Sequence, residues 1–269
     1  MPTNTLAAAG GTATYALDNG WIEARRRLNL LEECCDPVTT RHLDRLGVGP
    51  GWRCLEVGAG GGSIARWLCR RVGPSGQVVA VDLDTRFVDT VDADNLEVHQ
   101  RDIVADGLPG AGYDLIHTRA VLMHIPQRQR ILEAMVAALR PGGWLLLEEA
   151  DAYPLRSLTS GVYADGMQAA TAALEAAGVA WEWARHLPRL LDEAGLEDVG
   201  AENEVPTFRG GSPWAELLQV SAAQLRPVVL ASGLPAATLD ALVAVLDDPR
   251  RWFSAWGFVS ARGRRPAAV

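Results

Sequence analysis

The sequence predicts an α/β fold, a mostly parallel sheet with helices packed on both faces. Three observations carry this. Short β-rich runs alternate with helix-period segments through the middle of the chain, the pattern of successive strand–helix–strand units. Residues 78–81 and 144–147 are apolar without interruption, as strands covered on both faces are. One glycine-rich bend, within residues 54–68, joins a strand directly to a helix.

Residues 1–14 are small and polar and predict no packed element. A helix over 17–33 follows, with Trp21, Ile22, Leu28 and Leu31 apolar. A short helix over 39–46 comes next, capped by Thr39 or Thr40 and stopped by Gly47. Strands are expected at 53–57, 77–82, 96–100, 113–118 and 144–148, and helices between them at 63–72, 84–91 and 127–139. The last helix places Ile131, Leu132, Met135, Val136 and Leu139 on one face, with Pro126 where a helix start tolerates it. Beyond residue 150 the alternation breaks. Helices are expected at 162–177 and 186–194, the second stopped by Gly195, then a strand at 199–208. Helices at 212–231, with Ser212 as cap and Pro213 first, and at 239–246 precede a last strand at 253–261. Arg262, Arg264 and Arg265 then read as a solvated tail. Residues 1–46 thus form an N-terminal helical segment covering the site. Residues 47–269 form the main domain, with helical additions around 152–195 and 209–250 that make a lid over the strand ends, where ligands of open α/β sheets bind.

The chain has 269 residues, 48% hydrophobic and 22% charged, a globular balance that excludes disordered, collagen-like and coiled-coil chains. Its net charge of −8 argues against a nucleic-acid partner, which calls for a basic footprint. All 25 basic residues are arginine, so the lysine of a P-loop and the Schiff-base lysine of a pyridoxal enzyme are both missing. Cys34, Cys35, Cys54 and Cys69 have no zinc spacing and read as reduced thiols of a cytoplasmic protein. No stretch reads as a secretory signal or a membrane span.

The chemistry concentrates in Cys54-Leu-Glu-Val-Gly-Ala-Gly-Gly-Gly-Ser63. Glu56 precedes Gly58, Gly60 and Gly62, and the glycines let the backbone turn sharply where a Cβ would collide. A dinucleotide fingerprint needs glycine at 63, where Ser63 stands. An acid aimed into the bend also suits a ligand carrying ammonium and sulfonium charges better than a pyrophosphate. Asp82 ends the next strand, about 20 residues beyond Gly62, where an acid can accept from both ribose hydroxyls. Asp84 is better placed to cap the helix expected at 84–91. Asp102 and Ile103, after the third strand, could meet an adenine amino group and ring, or Asp102 could simply stabilise a turn.

These segments, with Tyr113-Asp-Leu-Ile116 and Leu139-Arg-Pro-Gly-Gly-Trp-Leu-Leu-Leu147, resemble the class I, Rossmann-like S-adenosylmethionine-dependent methyltransferases, of the small-molecule type found in bacterial specialised metabolism. The resemblance covers residues 35–150 firmly. It implies a seven-stranded sheet in the order 3-2-1-4-5-7-6 with the last strand antiparallel, and S-adenosylmethionine as cofactor. It also implies that Gly58 and Gly60 contact the methionine part, with Thr118 and its neighbours flanking it, Asp82 the ribose, and Asp102 and Ile103 the adenine, Glu56, Gly62 and Leu83 being further cofactor-binding residues.

By the same resemblance His124 matches a catalytic histidine of small-molecule O-methyltransferases, or it caps or packs the helix after Pro126; Glu149 matches an acidic position at the end of the fifth strand, with Asp151 as its alternative. His117 reads as a cofactor-flanking or packed histidine, and no metal is expected. Trp181, Trp183 and Trp214, with Arg185 and His186, line an aromatic acceptor pocket or pack a core. Tyr15 is placed to close over the cofactor. The expected activity is methyl transfer to a small organic acceptor, most readily at oxygen, by a monomer or homodimer. Its rivals are a non-methylating enzyme of the same fold (a cyclisation or decarboxylation), a nicotinamide oxidoreductase, and a non-catalytic cofactor-binding protein.

Overall fold

The computed structural model describes residues 17–267. A long helix α1 (Ala24–Arg45) leads into β1 (Arg53–Val57), α2 (Ser63–Val72), β2 (Gln77–Asp82), β3 (Leu96–Gln100), β4 (Tyr113–Arg119), α3 (Arg128–Ala138) and β5 (Leu139–Asp151). After these come α4 (Tyr153–Arg156), α5 (Val162–Ala176), α6 (Leu187–Glu193), β6 (Glu197–Glu204), β7 (Thr207–Arg209), α7 (Pro213–Ala231), α8 (Ala236–Val245), β8 (Trp252–Ser254) and β9 (Gly257–Arg264).

Seven strands form one sheet in the order β3-β2-β1-β4-β5-β9-β6. The first five pair in parallel, and β9 runs antiparallel to both β5 and β6. Numbered within the sheet this is the expected 3-2-1-4-5-7-6. Side chains alternate across the strands. One face therefore carries Cys54, Val78, Leu115 and Leu146 beneath α2 and the C-terminal part of α1. The other carries Leu55, Ile116, Leu145 and Leu147 beneath α3 and α6. A separate core under α5, α7 and α8 gathers Met167, Phe208, Leu218, Leu242 and Phe253, and the β7–β8 pair closes it.

Several expected boundaries shift. The two N-terminal helices are one, α1, which runs straight through Pro37. Proline removes its own backbone hydrogen bond and crowds the carbonyl four residues before it. The loss is offset because Arg119 Nη1 grips Asp36 Oδ1 at 2.9 Å and Thr39 Oγ1 at 3.0 Å, one on each side of Pro37. The helix expected at 84–91 shrinks to one 3-10 turn, Val88–Thr90. Asp84 Oδ1 takes the Arg86 N–H and Asp89 Oδ2 takes the Thr85 hydroxyl, local bonds that compete with a helix. The strand expected at 199–208 divides at Pro206 into β6 and β7, which join different sheets. The last strand likewise divides into β8 and β9. The arginine-rich end is not a solvated tail: Arg262 and Arg264 belong to β9, and the Arg265 N–H donates to Gly143 O at 2.8 Å. Tyr15 lies outside the described residues. All four cysteines are free thiols. No helix among the described residues is long and apolar enough to cross a membrane.

Candidate active site

The strand ends converge on the glycine bend. Gly58, Gly60 and Gly62 have φ of +73°, +52° and +85°, the left-handed region that favours glycine. A Cβ on Gly58 would stand 2.2 Å from Val121 Cγ2, and one on Gly62 2.6 Å from Val91 Cγ2. These two glycines are therefore required by packing as well as by the turn. The bend is tied to the second strand by Gly58 N–H to Val81 O at 2.8 Å and by Gly60 N–H to Asp82 Oδ2 at 2.8 Å.

Asp82 sits beside the bend as expected. Its other oxygen accepts the Asp84 N–H at 3.0 Å. A carboxylate has about four lone-pair sites, so two remain for ribose hydroxyls. Asp84 caps the following turn and pairs with Arg86. Leu83 is 57% exposed, an apolar side chain at the rim of the site. Asp102 Oδ1 accepts the Val104 N–H at 2.8 Å and so stabilises its turn. Ile103, at 8% exposure, packs into the core with Val79, Val81 and Ile116, so the ring-stacking surface expected of it is mostly used by the protein. Thr118 is fully buried at the end of β4, opposite Val57, and its Oγ1 has no hydrogen-bond partner.

Glu56 departs most from expectation. Its register partner on β4 is His117, and Glu56 Oε2 lies 2.6 Å from His117 Nδ1. His117 Nε2 lies 3.2 Å from Glu148 Oε2, which also accepts the Thr39 hydroxyl, while Glu148 Oε1 accepts from Ser260 Oγ at 2.7 Å. All five side chains are buried. Burial pulls the His117 pKa down, but Glu56 and Glu148 outweigh it and raise the pKa to about 9. At neutral pH His117 is therefore an imidazolium set between Glu56, whose pKa burial raises, and Glu148, whose pKa falls against burial through the His117 and Thr39 bonds. Glu56 faces this bridge rather than the bend.

Beyond β4 the chain passes through Ala120, whose φ of +53° is unusual for a residue with a Cβ, and Val121 touches the bend at Gly58. A 3-10 turn, Leu122–His124, follows. Glu149 is fully buried, and its carboxyl accepts the Leu122 N–H at 2.8 Å and the Met123 N–H at 3.4 Å. Burial pushes its pKa up to about 8 against those bonds. Fully buried and spent on the backbone of the turn, Glu149 holds that turn, where the sequence suggested an open catalytic carboxylate. Asp151, its alternative, is bound by Arg185 at 2.6 and 3.2 Å. His124 is partly buried at the end of the turn. Burial, then Arg27 and Arg128, lower its pKa to about 4, so its imidazole is neutral at pH 7. Trp181 packs with Met123, Ala150, Ala152 and Val179 beside this turn, and Trp214 meets Trp256 edge-on at 5.4 Å. Trp183 packs on the sheet core, and His186 closes the short turn before α6.

A family model described as a methyltransferase domain matches residues 24–201. The chain belongs to this family. The methyltransferase domain is 30% identical over 115 residues to the ubiquinone/menaquinone biosynthesis C-methyltransferase UbiE of Hahella chejuensis, 40% of this chain and 46% of that protein. It is 28% identical over 136 residues to the ubiquinone biosynthesis O-methyltransferase of Paraburkholderia phytofirmans, 48% of this chain and 57% of that one. Methyltransferase GfsG of Streptomyces halstedii is 32% identical over 125 residues, 44% and 45% of the two chains. The chain thus spans about half the length of the curated relatives it matches. Among solved structures, Haemonchus contortus phosphoethanolamine N-methyltransferase 2 in complex with S-adenosyl-L-methionine has a TM-score of 0.53 at 16% identity, covering 90% of this chain and 52% of that one. The YcgJ protein of Bacillus subtilis has a TM-score of 0.51 at 14% identity, covering 83% and 98%. Both share the fold.

The cofactor of the methyltransferase domain is S-adenosylmethionine, and the residues present fit it. The bend carries no side chains at Gly58, Gly60, Gly61 and Gly62, Asp82 keeps free lone pairs beside it, and Thr118 Oγ1 is a buried polar atom without a partner. Asp82→Ala is expected to weaken S-adenosylhomocysteine binding by about 1–3 kcal/mol, the cost of losing a charged acceptor, and titration calorimetry reads it directly. Unchanged affinity would remove the ribose role.

Proposed function

We propose that the chain transfers the methyl group of S-adenosylmethionine to an oxygen of a small organic acceptor, with His124 taking the acceptor's proton. Glycine bend, Asp82 and Asp102 hold the donor in this reading, with Leu83 and Thr118 at its edges. S-adenosylmethionine supplies an electrophilic methyl group on a positively charged sulfur. Orientation of acceptor and donor then contributes much of the rate, because an in-line displacement with a neutral leaving group needs no oxyanion stabilisation. One observation carries the reading. The turn bearing His124 is fixed at the mouth of the bend, by Val121 against Gly58 and by Glu149 on the backbone of residues 122 and 123.

A neutral imidazole can accept a proton, and a low pKa is no obstacle here. A hydroxyl oxygen that gains a methyl group becomes a far stronger acid than an imidazolium, so a weak base suffices. Glu149 acts through the turn and is a positioning residue. Met123, Ala150 and Trp181 pack as a buried cluster beside the turn, and the acceptor in this reading is a small organic molecule. The net charge of −8 favours such a molecule over a nucleic acid.

The test is turnover with methyl-labelled S-adenosylmethionine against a panel of phenols, catechols, aliphatic alcohols and amines, with products identified by mass spectrometry. An O-methylated product formed with matching S-adenosylhomocysteine is the expected result. His124→Asn should then lower kcat by about 10²–10⁴, the usual share of a general base, with S-adenosylhomocysteine affinity unchanged. A product methylated only at nitrogen, or full activity in the His124 variant, would contradict the assignment.

A further inference from the structure

We infer that Glu32, on helix α1, is the carboxylate that binds the α-ammonium group of the cofactor's methionine portion. The inference rests on the placement of S-adenosylmethionine at the glycine bend. That ligand brings two positive centres to the bend, and a cation taken from water into a partly buried site needs a paired acid.

The acids near the bend can be taken in turn. Glu56 is 3% exposed and spent on the His117 imidazolium, and Glu148 is spent on the same bridge with two hydroxyls besides. Asp36 is held by Arg119 and by Ser63 Oγ at 3.1 Å. Asp82 serves the opposite side of the bend through Gly60 and Asp84. Glu32 is left. Its Oε1 is buried and has no hydrogen-bond partner, an arrangement that costs free energy until a donor is supplied. Burial, then the neighbouring Asp36, keeps its pKa above the ordinary value although Arg25, Arg119 and Arg66 lie within electrostatic reach.

Placement is the stronger argument. Leu28, Glu32 and Asp36 are spaced four apart and so share one face of α1. That face lies along the bend in register. Leu28 Cδ2 is 3.4 Å from where a Cβ on Gly60 would be, Glu32 Oε1 is 2.0 Å from the same point on Gly61, and Asp36 meets Ser63. The Glu32 carboxylate thus occupies the volume that any side chain at 61 would take. This gives Gly61 a reason to be glycine, since no positive φ requires it. The acid that distinguishes a cationic nucleoside from a diphosphate then comes from the N-terminal helix and not from β1.

The experiment is titration calorimetry on the full chain with two ligands, S-adenosylhomocysteine and 5′-methylthioadenosine, which lacks the amino-acid portion. Glu32→Gln keeps the size and removes the charge. It should weaken S-adenosylhomocysteine by about 10–100-fold, the range for a charged hydrogen bond, and leave methylthioadenosine within about two-fold. Gly61→Ala retains Glu32 but displaces its carboxylate, so it should show the same selective loss, and the double variant should lose no more than either single one. Equal losses for both ligands, no loss for S-adenosylhomocysteine, or additive losses in the double variant would each overturn the inference. If the unaltered protein binds neither ligand, the cofactor placement itself falls.

Discussion

Alanine in place of His117 is expected to destabilise the protein by about 3–5 kcal/mol, the cost of removing one partner from a buried ion pair and leaving its carboxylates uncompensated. Glu56 and Glu148 would then be left in a buried site without the imidazole between them, with Thr39, Ser260 and Arg119 among the groups nearby. Denaturant unfolding reads the change, and a loss below about 1 kcal/mol, the scale of an exposed pair, would show that the bridge is not charged. The bridge also sets a pH dependence. The His117 pKa rises from 6.5 to about 9 on folding, so its contribution is fully present below about pH 6.5 and lost as pH climbs through 9. Glu149, raised from 4.5 to about 8, acts in the same direction, because unfolding releases its proton above pH 4.5. His124, lowered from 6.5 to about 4, opposes this between those two values and contributes nothing further above 6.5. Stability should therefore fall between about pH 6.5 and 9, and Glu149→Gln should make that fall shallower. A melting temperature that rises over this range would contradict both protonation states.

Gly58→Ala is expected to lower kcat/KM by about 100-fold or more, because a displacement near 1 Å at a reacting centre has that effect. Two costs combine. The left-handed backbone at φ +73° costs a residue with a Cβ roughly 1–2 kcal/mol, and the new methyl would collide with Val121 Cγ2 at 2.2 Å. Relieving the collision pushes Val121 away from the bend and carries with it the turn that bears His124. Val121→Ala removes the colliding methyl. The double variant should recover part of the lost activity, with the backbone cost remaining. Wild-type kinetics in Gly58→Ala, or no recovery in the double variant, would separate the turn from the bend.

The fold is legible wherever local chemistry agrees with tertiary packing. Strand β2 shows its limits in the apolar run 78–81, and α2 follows its glycines without ambiguity. The break expected between 33 and 39 is absent because the local cost of Pro37 is offset by a clamp from Arg119, eighty-three residues from Asp36. Pro206 acts in the opposite sense. It lies within a run that reads as one strand, yet it separates β6 from β7. The arginines at the C-terminus look solvated on charge alone, while Arg262 and Arg264 belong to β9, which pairs antiparallel with β5 on one side and β6 on the other.

The place of Asp82 beside the bend is readable from spacing, whereas Glu56 is found but faces His117. Its partner could have been inferred, since β1 and β4 are neighbours in this sheet and Glu56 stands opposite His117. Glu148 and Glu149 form the clearest lesson. Adjacent residues of a strand point to opposite faces, so one carboxylate joins His117 and Thr39 while the other secures the backbone after β4. Glu32 cannot be singled out until α1 is seen to run unbroken along the bend.

Equilibrium titration of the full chain with S-adenosylmethionine and, separately, with NAD⁺ tests the central claim most directly. Saturable binding of S-adenosylmethionine at one site per chain, undisturbed by excess NAD⁺, is the expected result. Retention of NAD⁺ with no measurable affinity for S-adenosylmethionine would contradict the account from the glycine bend outward.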